Sequence, residues 1–303
     1  MEHWGLTKLN EWHRLTPNDK KLFEDYKKDL GIYNWVYSWE YLRSRLTAKR
    51  PFHYIILEGN LCIFNKRWGN AKEKSINLFY VPLGKNNIDV LDKCFKEFKN
   101  QRVIFIYDGF KSQYEMKERA PDVVYELKDL IKLEGHKYKN ARNSINKFKK
   151  DNDFFWRKAS IKDKQSIQDL YQKWAKNKLS KCYVDIYNRE SVEIGIEYAI
   201  YDIPSFVVEI EGEIKGFVCG NELVEDWCFC FLRFCDNRFY GLSDFMFWNF
   251  YREMFEKGFK IGNDAEYIDK NLHKFKDKFN PAKVIGNYMI DRGKQEVTLE
   301  SWI

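Results

Sequence analysis

The chain has 303 residues, 44% hydrophobic and 17% aromatic with only 6 Pro, which excludes extended disorder and supplies two cores of ordinary size. Its 52 Lys and Arg against 45 Asp and Glu give a net charge of +7, short of a polycationic tail but suited to phosphate-bearing partners. No run approaches the roughly 18–20 apolar residues of a membrane span, Met1 to Leu6 lack the layout of a secretion signal, and 7 Cys read as reduced thiols of a cytoplasmic protein.

A helix is expected after Thr16-Pro17, because Pro suits a first helical turn. Alternation and turn residues predict strands at His53–Leu57, Leu61–Asn65 and Ile76–Val81, the first two joined through Glu58-Gly59-Asn60. A helix over Ile88–Phe98, a strand over Val103–Tyr107 and a short helix near Glu126–Ile131 follow.

The segment Leu133–Phe148 is entered through Gly135. Tyr138, Ala141, Ile145 and Phe148 recur at steps of 3, 4 and 3, which makes one narrow apolar stripe on a helix. His136, Lys137, Lys139, Arg142, Asn143, Asn146, Lys147, Lys149 and Lys150 surround it, with no acid between Glu134 and Asp151. Like charges on one helix face repel, so either the helix is simply solvated or an anion meets it.

The second half repeats the same grammar. A strand is predicted at Phe154–Lys158, helices at Ile161–Asn177 and Glu190–Ile200, and a hairpin of Ser205–Glu211 and Glu213–Asn221 about Gly212. Trp227–Phe234 reads as a further strand and Ser243–Lys257 as a helix, apolar nearly all round and therefore buried. Cys228, Cys230 and Cys235 lack a second ligand pair at zinc spacing, so packing is preferred to a metal site. The expected boundary lies near Asp151-Asn152-Asp153, giving domains 1–150, ending in the basic helix, and 151–303.

Two segments carry candidate chemistry. Arg238-Phe239-Tyr240-Gly241-Leu242-Ser243 opens a helix, where backbone N–H groups and the helix dipole hold phosphate; capping by Ser243 or Asp244 explains the same letters. Beyond Asp264-Ala265-Glu266, helical spacing buries Leu272, Phe275 and Phe279 and leaves Lys270, Lys274 and Lys278 in solvent. Lys276 falls on neither face and must cross apolar surface or enter a cleft.

The order L-x-G-x-K-Y-x-x-x-R-N-x-I-N-x-F over Leu133–Phe148 resembles a signature of the phosphatidylglycerol-lysyltransferase C-terminal-like family. Asp264, Glu266, Lys276, Phe279 and Pro281 match that family's acidic pair, lysine, aromatic and proline, whereas His273 stands at its arginine and Leu232-Arg233 where a Glu-Lys pair is usual. The F-K-x-x-F run is also similar to Fem-type aminoacyl transferases, and Arg238–Ser243 resembles a loosened pyrophosphate loop of GNAT acyltransferases. The resemblance covers roughly Tyr125–Ile290. It implies an α+β fold of two tandem GNAT-like domains, each a mixed, mainly antiparallel sheet flanked by helices.

The implied activity is acyl or aminoacyl transfer from acyl-CoA or aminoacyl-tRNA, as co-substrate rather than tightly bound cofactor, to an amine or hydroxyl. Asp264 or Glu266 is expected as base and Lys276 as charge stabiliser. Arg238, Gly241 and Ser243 are expected to hold a cofactor, and Lys137, Tyr138, Arg142, Asn143 and Asn146 to border a substrate cleft between domains. No metal is expected. The alternative is a non-catalytic anion- or RNA-binding module on the same scaffold; a peripheral membrane contact through the basic surface is a third, weaker reading.

Overall fold

The computed structural model describes residues 12–47, 51–66, 76–98, 102–179, 189–267 and 270–292. Contacts divide the described residues into two compact units: those up to Ala120 with Gly286–Arg292, and those within Pro121–Ile285. This division differs from the expected boundary at residue 150.

In the first unit, Thr16 closes a capping box with Asp19 and so starts the turn leading into α1 (Lys20–Lys27). Before it lies β1 (His13–Arg14); after it come α2 (Trp39–Arg45), β2 (Phe52–Leu57), β3 (Asn60–Lys66), β4 (Ile76–Tyr80), α3 (Asn87–Glu97) and β5 (Arg102–Tyr107). The chain then enters β6 (Lys117–Glu126), within which the first unit ends and the second begins.

The second unit continues with α4 (Leu127–Lys132), α5 (Lys139–Asp151), β7 (Phe154–Lys158), α6 (Lys164–Leu179) and α7 (Arg189–Asp202). The strands β8 (Ser205–Ile210), β9 (Glu213–Val224) and β10 (Trp227–Cys235), helix α8 (Leu242–Glu256), strand β11 (Ile261–Glu266) and helix α9 (Lys270–Asp277) follow. Finally β12 (Lys283–Asp291) returns the chain to the first unit.

Each unit has the same connectivity. The first orders its strands β1-β2-β3-β4-β5-β12 and the second β7-β8-β9-β10-β11-β6. In both, four antiparallel strands are followed by a parallel step, β4 with β5 and β10 with β11, and then by an antiparallel strand from a distant stretch of chain. The expected α+β duplication is thus present in topology. The two-residue β1 and the strands β6, β11 and β12 are the ones that the hydrophobic pattern does not mark.

The basic helix is α5, and its stripe is the expected one: Tyr138, Ala141, Ile145 and Phe148 are all buried. The stripe docks inside the second unit rather than between domains. Phe148 lies 4.9 Å from the Phe154 ring and 5.2 Å from Phe245 of α8, so α5 and α8 cover one face of the sheet together. On the other face Tyr171 of α6 meets Phe234, and Gly195 lets α7 close onto Phe231 and Leu232 of β10. Among the described residues no helix is long and apolar enough to cross a membrane.

Because Phe148 is fully buried among rings, Phe148→Ala is expected to cost about 3–5 kcal/mol in urea denaturation. A loss below about 1 kcal/mol is the size of a surface change and contradicts this packing.

Candidate functional site

The parallel register of β10 with β11 ends at Phe229 and Asn263, although β10 runs on to Cys235 and β11 to Glu266. Beyond that point the strands stop pairing, and a cluster of polar side chains occupies the second unit there. β10 is otherwise apolar from Trp227 to Cys235; Arg233 is its one charged residue.

Arg233 donates through Nη1 to Oδ1 of Asp264 at 3.1 Å and through Nη2 to Oδ2 at 3.3 Å. Its guanidinium sits 4.8 Å from the Phe247 ring centroid and 4.9 Å from that of Phe275, so aromatic faces flank the cation. Burial is the largest influence and opposes the charge, but Asp264, Cys230 and Tyr251 together outweigh it and hold Arg233 above its ordinary pKa.

Lys276 is the one buried residue of α9, with 1% exposure. Its ammonium donates to the carbonyls of Asp264, Ala265 and Glu266, the last two at 2.9 Å, and lies 3.6 Å from Oδ2 of Asp264. Three donors meet three acceptors, which is the full capacity of an ammonium. Burial pulls its pKa below the ordinary lysine value, against the pull of Asp264.

The carbonyls converge because β11 bulges. Its register with β6 slips between Asn263 and Glu266, and Ala265 takes the left-handed φ of 58°. That conformation costs a non-glycine residue about 1 kcal/mol or more, and Lys276 is what offsets it. Asn263 fixes the bulge from below, accepting from Ala265 N–H at 2.8 Å and donating to Asp122 at 2.9 Å. The hydroxyls of Tyr251 and Tyr125 donate at 2.9 Å to the carbonyls of Asn263 and Lys276. Burial pushes the neighbouring Cys230 thiol up to about 12, so it is no nucleophile at neutral pH.

Of the expected catalytic residues, the structure therefore joins Asp264 and Lys276 directly. Glu266 enters through its carbonyl, and its side chain stands half-buried at the end of β11. Arg233, Asp122, Asn263 and the two tyrosines were not expected. A lone arginine inside an apolar strand was the available signal, since a charge on a core strand needs a partner.

The expected cofactor residues serve other ends. Arg238 is exposed and paired with Asp236 at 2.6 Å. Gly241 has φ +81°, and a Cβ there would lie 2.3 Å from the Ser144 carbonyl, so glycine lets α8 start against α5. Ser243 is half-buried beside the Cys235 thiol. In the first turn of α8, buried Asp244 accepts from the Ser144 hydroxyl and pairs with Lys278, meeting the helix dipole with the protein's own carboxylate. Packing, not an open phosphate cradle, accounts for the motif.

The expected substrate residues also disperse. Arg142 donates to the carbonyls of Leu133 and, at 2.6 Å, Gly135, closing the turn after α4; Tyr138 is buried. Lys137, Asn143 and Asn146 are exposed, with Lys137 over the Tyr138 ring. Among the described residues none of these touches Asp264 or Lys276. Nor do the described residues contain a group of acids, Cys and His placed to hold a metal ion; the six described cysteines are free and buried.

In the first unit the matching place is filled by aromatic rings. The Tyr37 and Tyr80 rings pack at a tilt with centroids 4.4 Å apart, and their hydroxyls donate to the carbonyls of Phe105 and Val36 at 2.8 and 2.6 Å.

The family described as phosphatidylglycerol lysyltransferase, C-terminal, matches residues 71–291. The chain belongs to this family. It is thereby an acyl or aminoacyl transferase-type protein in fold and lineage. A conserved protein of unknown function from Bacteroides thetaiotaomicron superposes with a TM-score of 0.76 at 17% identity, over 92% of this chain and 98% of that one. L-PGS from Bacillus licheniformis gives 0.65 at 15%, over 96% of each chain. FemX gives 0.61 at 8%, over 93% and 98%. These likenesses establish the lysyltransferase and Fem-type fold over the length of the chain. No curated protein sequence matches it.

Two substitutions separate packing from ligand binding. Gly241→Ala is expected to lower the unfolding free energy by more than about 1 kcal/mol with no ligand present. Lys276→Ala, which strands the bulge carbonyls and Asp264, is expected to cost about 3–5 kcal/mol. Thermal and urea unfolding of each variant checks both, and wild-type stability in either contradicts the assigned role.

Proposed function

We propose that the second unit transfers an aminoacyl group from aminoacyl-tRNA to an amine or hydroxyl acceptor, with its reaction centre where β10 and β11 part. The observation that carries this is the Arg233–Asp264–Lys276 network with Asp122, two cations against two carboxylates, at the point where β10 and β11 stop pairing. Unpaired backbone N–H groups along β10 beyond Phe229 suit a carbonyl oxygen on which charge develops, and Arg233 adds positive potential beside them. Asp264, released as Arg233 turns toward that oxygen, takes the proton from the nucleophile. Lys276 acts as a positioning residue, since its donors are all spent on the bulge.

A nucleic-acid donor is favoured over acyl-CoA by charge and by packing. The start of α8 is already met by Asp244 and closed by Ser144, whereas Lys137, Lys139, Lys149 and Lys150 of the α5 segment are exposed. Such a face binds phosphates by releasing counterions, so tRNA affinity should fall steeply with salt.

The second reading, a binding module without turnover, is favoured by one observation: both Asp264 oxygens and all three Lys276 donors are engaged within the protein. Incubation with aminoacyl-tRNA labelled on its aminoacyl group decides between the two. Transfer to an acceptor is expected, reduced about 10²–10³-fold in Arg233→Gln. Salt-sensitive tRNA binding without transfer to any amine or hydroxyl supports the binding module, and absence of tRNA binding at low salt removes the donor assignment.

A further inference from the structure

Helix α5 meets the core with one side only. Lys139, Asn143, Asn146 and Lys150 recur at steps of 4, 3 and 4, opposite the buried stripe of Ala141, Ile145 and Phe148. All four are exposed, and among the described residues none of their side chains makes a hydrogen bond or an ion pair. At 1.5 Å per residue the two lysines lie about 16 Å apart along the helix, with the two amides between them. The nearest acids in the chain, Glu134 and Asp151, flank the stripe, and Lys147 already holds Asp151 at 2.8 Å.

An exposed ring stands beside this face. Gly241 packs its backbone on α5, since a Cβ there would collide with the Ser144 carbonyl and lie 3.1 Å from Phe148 Cβ. Tyr240, the residue before it, is 63% exposed. Asp151 holds the Lys147 ammonium above its ordinary pKa, and Tyr240 is near enough to add to that pull. The 236–241 loop follows the C-terminal end of β10, the end at which Arg233 meets Asp264.

These features choose between anionic partners. A helix on a membrane surface must offer an apolar face to the lipid, and the apolar face of α5 is buried in the core. Lysines alone would serve an acidic protein or either nucleic acid. The amides make the difference: each carries donors and an acceptor, as the ribose 2′-hydroxyl does. The shallow minor groove of an RNA duplex shows such hydroxyls between its two phosphate rows. The order Lys139, Asn143, Asn146, Lys150 matches it, with a cation at each end and amides in the middle.

We infer that the outer face of α5 docks in the minor groove of a double-helical RNA, with Lys139 and Lys150 on phosphates of the two strands and Asn143 and Asn146 on ribose hydroxyls. Tyr240 stacks on a base where the duplex stops. The unpaired strand beyond that base begins at the same end of the sheet as Arg233 and Asp264.

The choice of RNA rests on the aminoacyl-tRNA reading, and the probe separates the two: an RNA hairpin with a single-stranded 3′ extension and no aminoacyl group. Fluorescence anisotropy with the intact chain compares it with a DNA hairpin of the same sequence. RNA is expected to bind about tenfold more tightly, the size of one or two net hydrogen bonds. Asn143→Ala with Asn146→Ala should remove that preference and leave DNA affinity unchanged. Lys139→Gln with Lys150→Gln should weaken both nucleic acids and lower the salt slope by about 2. Tyr240→Ser should weaken the extended hairpin and spare a blunt one. The thermal midpoint should not fall in any of these variants, because all five side chains are exposed. Equal affinity for RNA and DNA overturns the inference, as does a preference that survives both asparagine changes. Phosphatidylglycerol vesicles that bind through Lys139 and Lys150 while the RNA hairpin does not also overturn it. Transfer from aminoacyl-tRNA without any RNA preference strikes this docking and leaves the reaction standing; RNA docking without transfer does the reverse.

Discussion

An ammonium group with no access to water must place its donors on acceptors inside the protein. Lys276 does so on the carbonyls of Asp264, Ala265 and Glu266, and the rest of the second unit's candidate site depends on that bond set. Without it the left-handed turn at Ala265 is held only by the Asn263 side chain on Ala265 N–H, and the β11 bulge that aims Asp264 at Arg233 loses its main support. Burying charge is expensive, and the cluster tolerates it by balance: Arg233 and Lys276 stand against Asp264 and Asp122. Such a network adds little net stability over apolar packing of the same volume. Its retention at the place where two strands separate is better explained by a site that must stay polar in a dry surround.

The two units share a topology and differ at the equivalent place. In the second, β10 and β11 continue unpaired for several residues and enclose charge; in the first, β4 ends with its pairing and Tyr37 and Tyr80 fill the space. The first unit thus has the packing of a scaffold and the second that of a site. Helix α5 serves the second unit through one buried face: its apolar stripe joins the core shared with α8, and Ser144 beside that stripe meets Asp244.

Much of the fold could be read from the residues. The stripe Tyr138, Ala141, Ile145, Phe148 is buried as its spacing predicts, and most helices and hairpin strands lie within a few residues of their expected bounds. The strands that escaped notice did so for physical reasons. β6 carries Pro121 and a charged start, and β12 follows Pro281 with Gly286 and the buried polar Asn287 interrupting its apolar residues. β11 is Ile-Gly-Asn-Asp-Ala-Glu, poor strand formers throughout, because those residues build the site. Lys276 could be singled out because helical spacing put it off both faces. Arg233 could not be given a role without the partner that the sheet brings 31 positions along the chain. Gly241 and Arg142 looked like ligand residues because close backbone approach and carbonyl capping use the same side chains as phosphate binding.

The central claim is that Arg233 and Asp264 act as one unit held by Lys276, and a double-mutant cycle with Arg233→Met and Asp264→Asn, read by urea unfolding, tests it most directly. Each single change leaves a buried partner uncompensated, so the double variant should lose less than the two singles together, with a coupling of about 1–3 kcal/mol. Additivity to within about 0.5 kcal/mol means that the two side chains are energetically independent and contradicts the account.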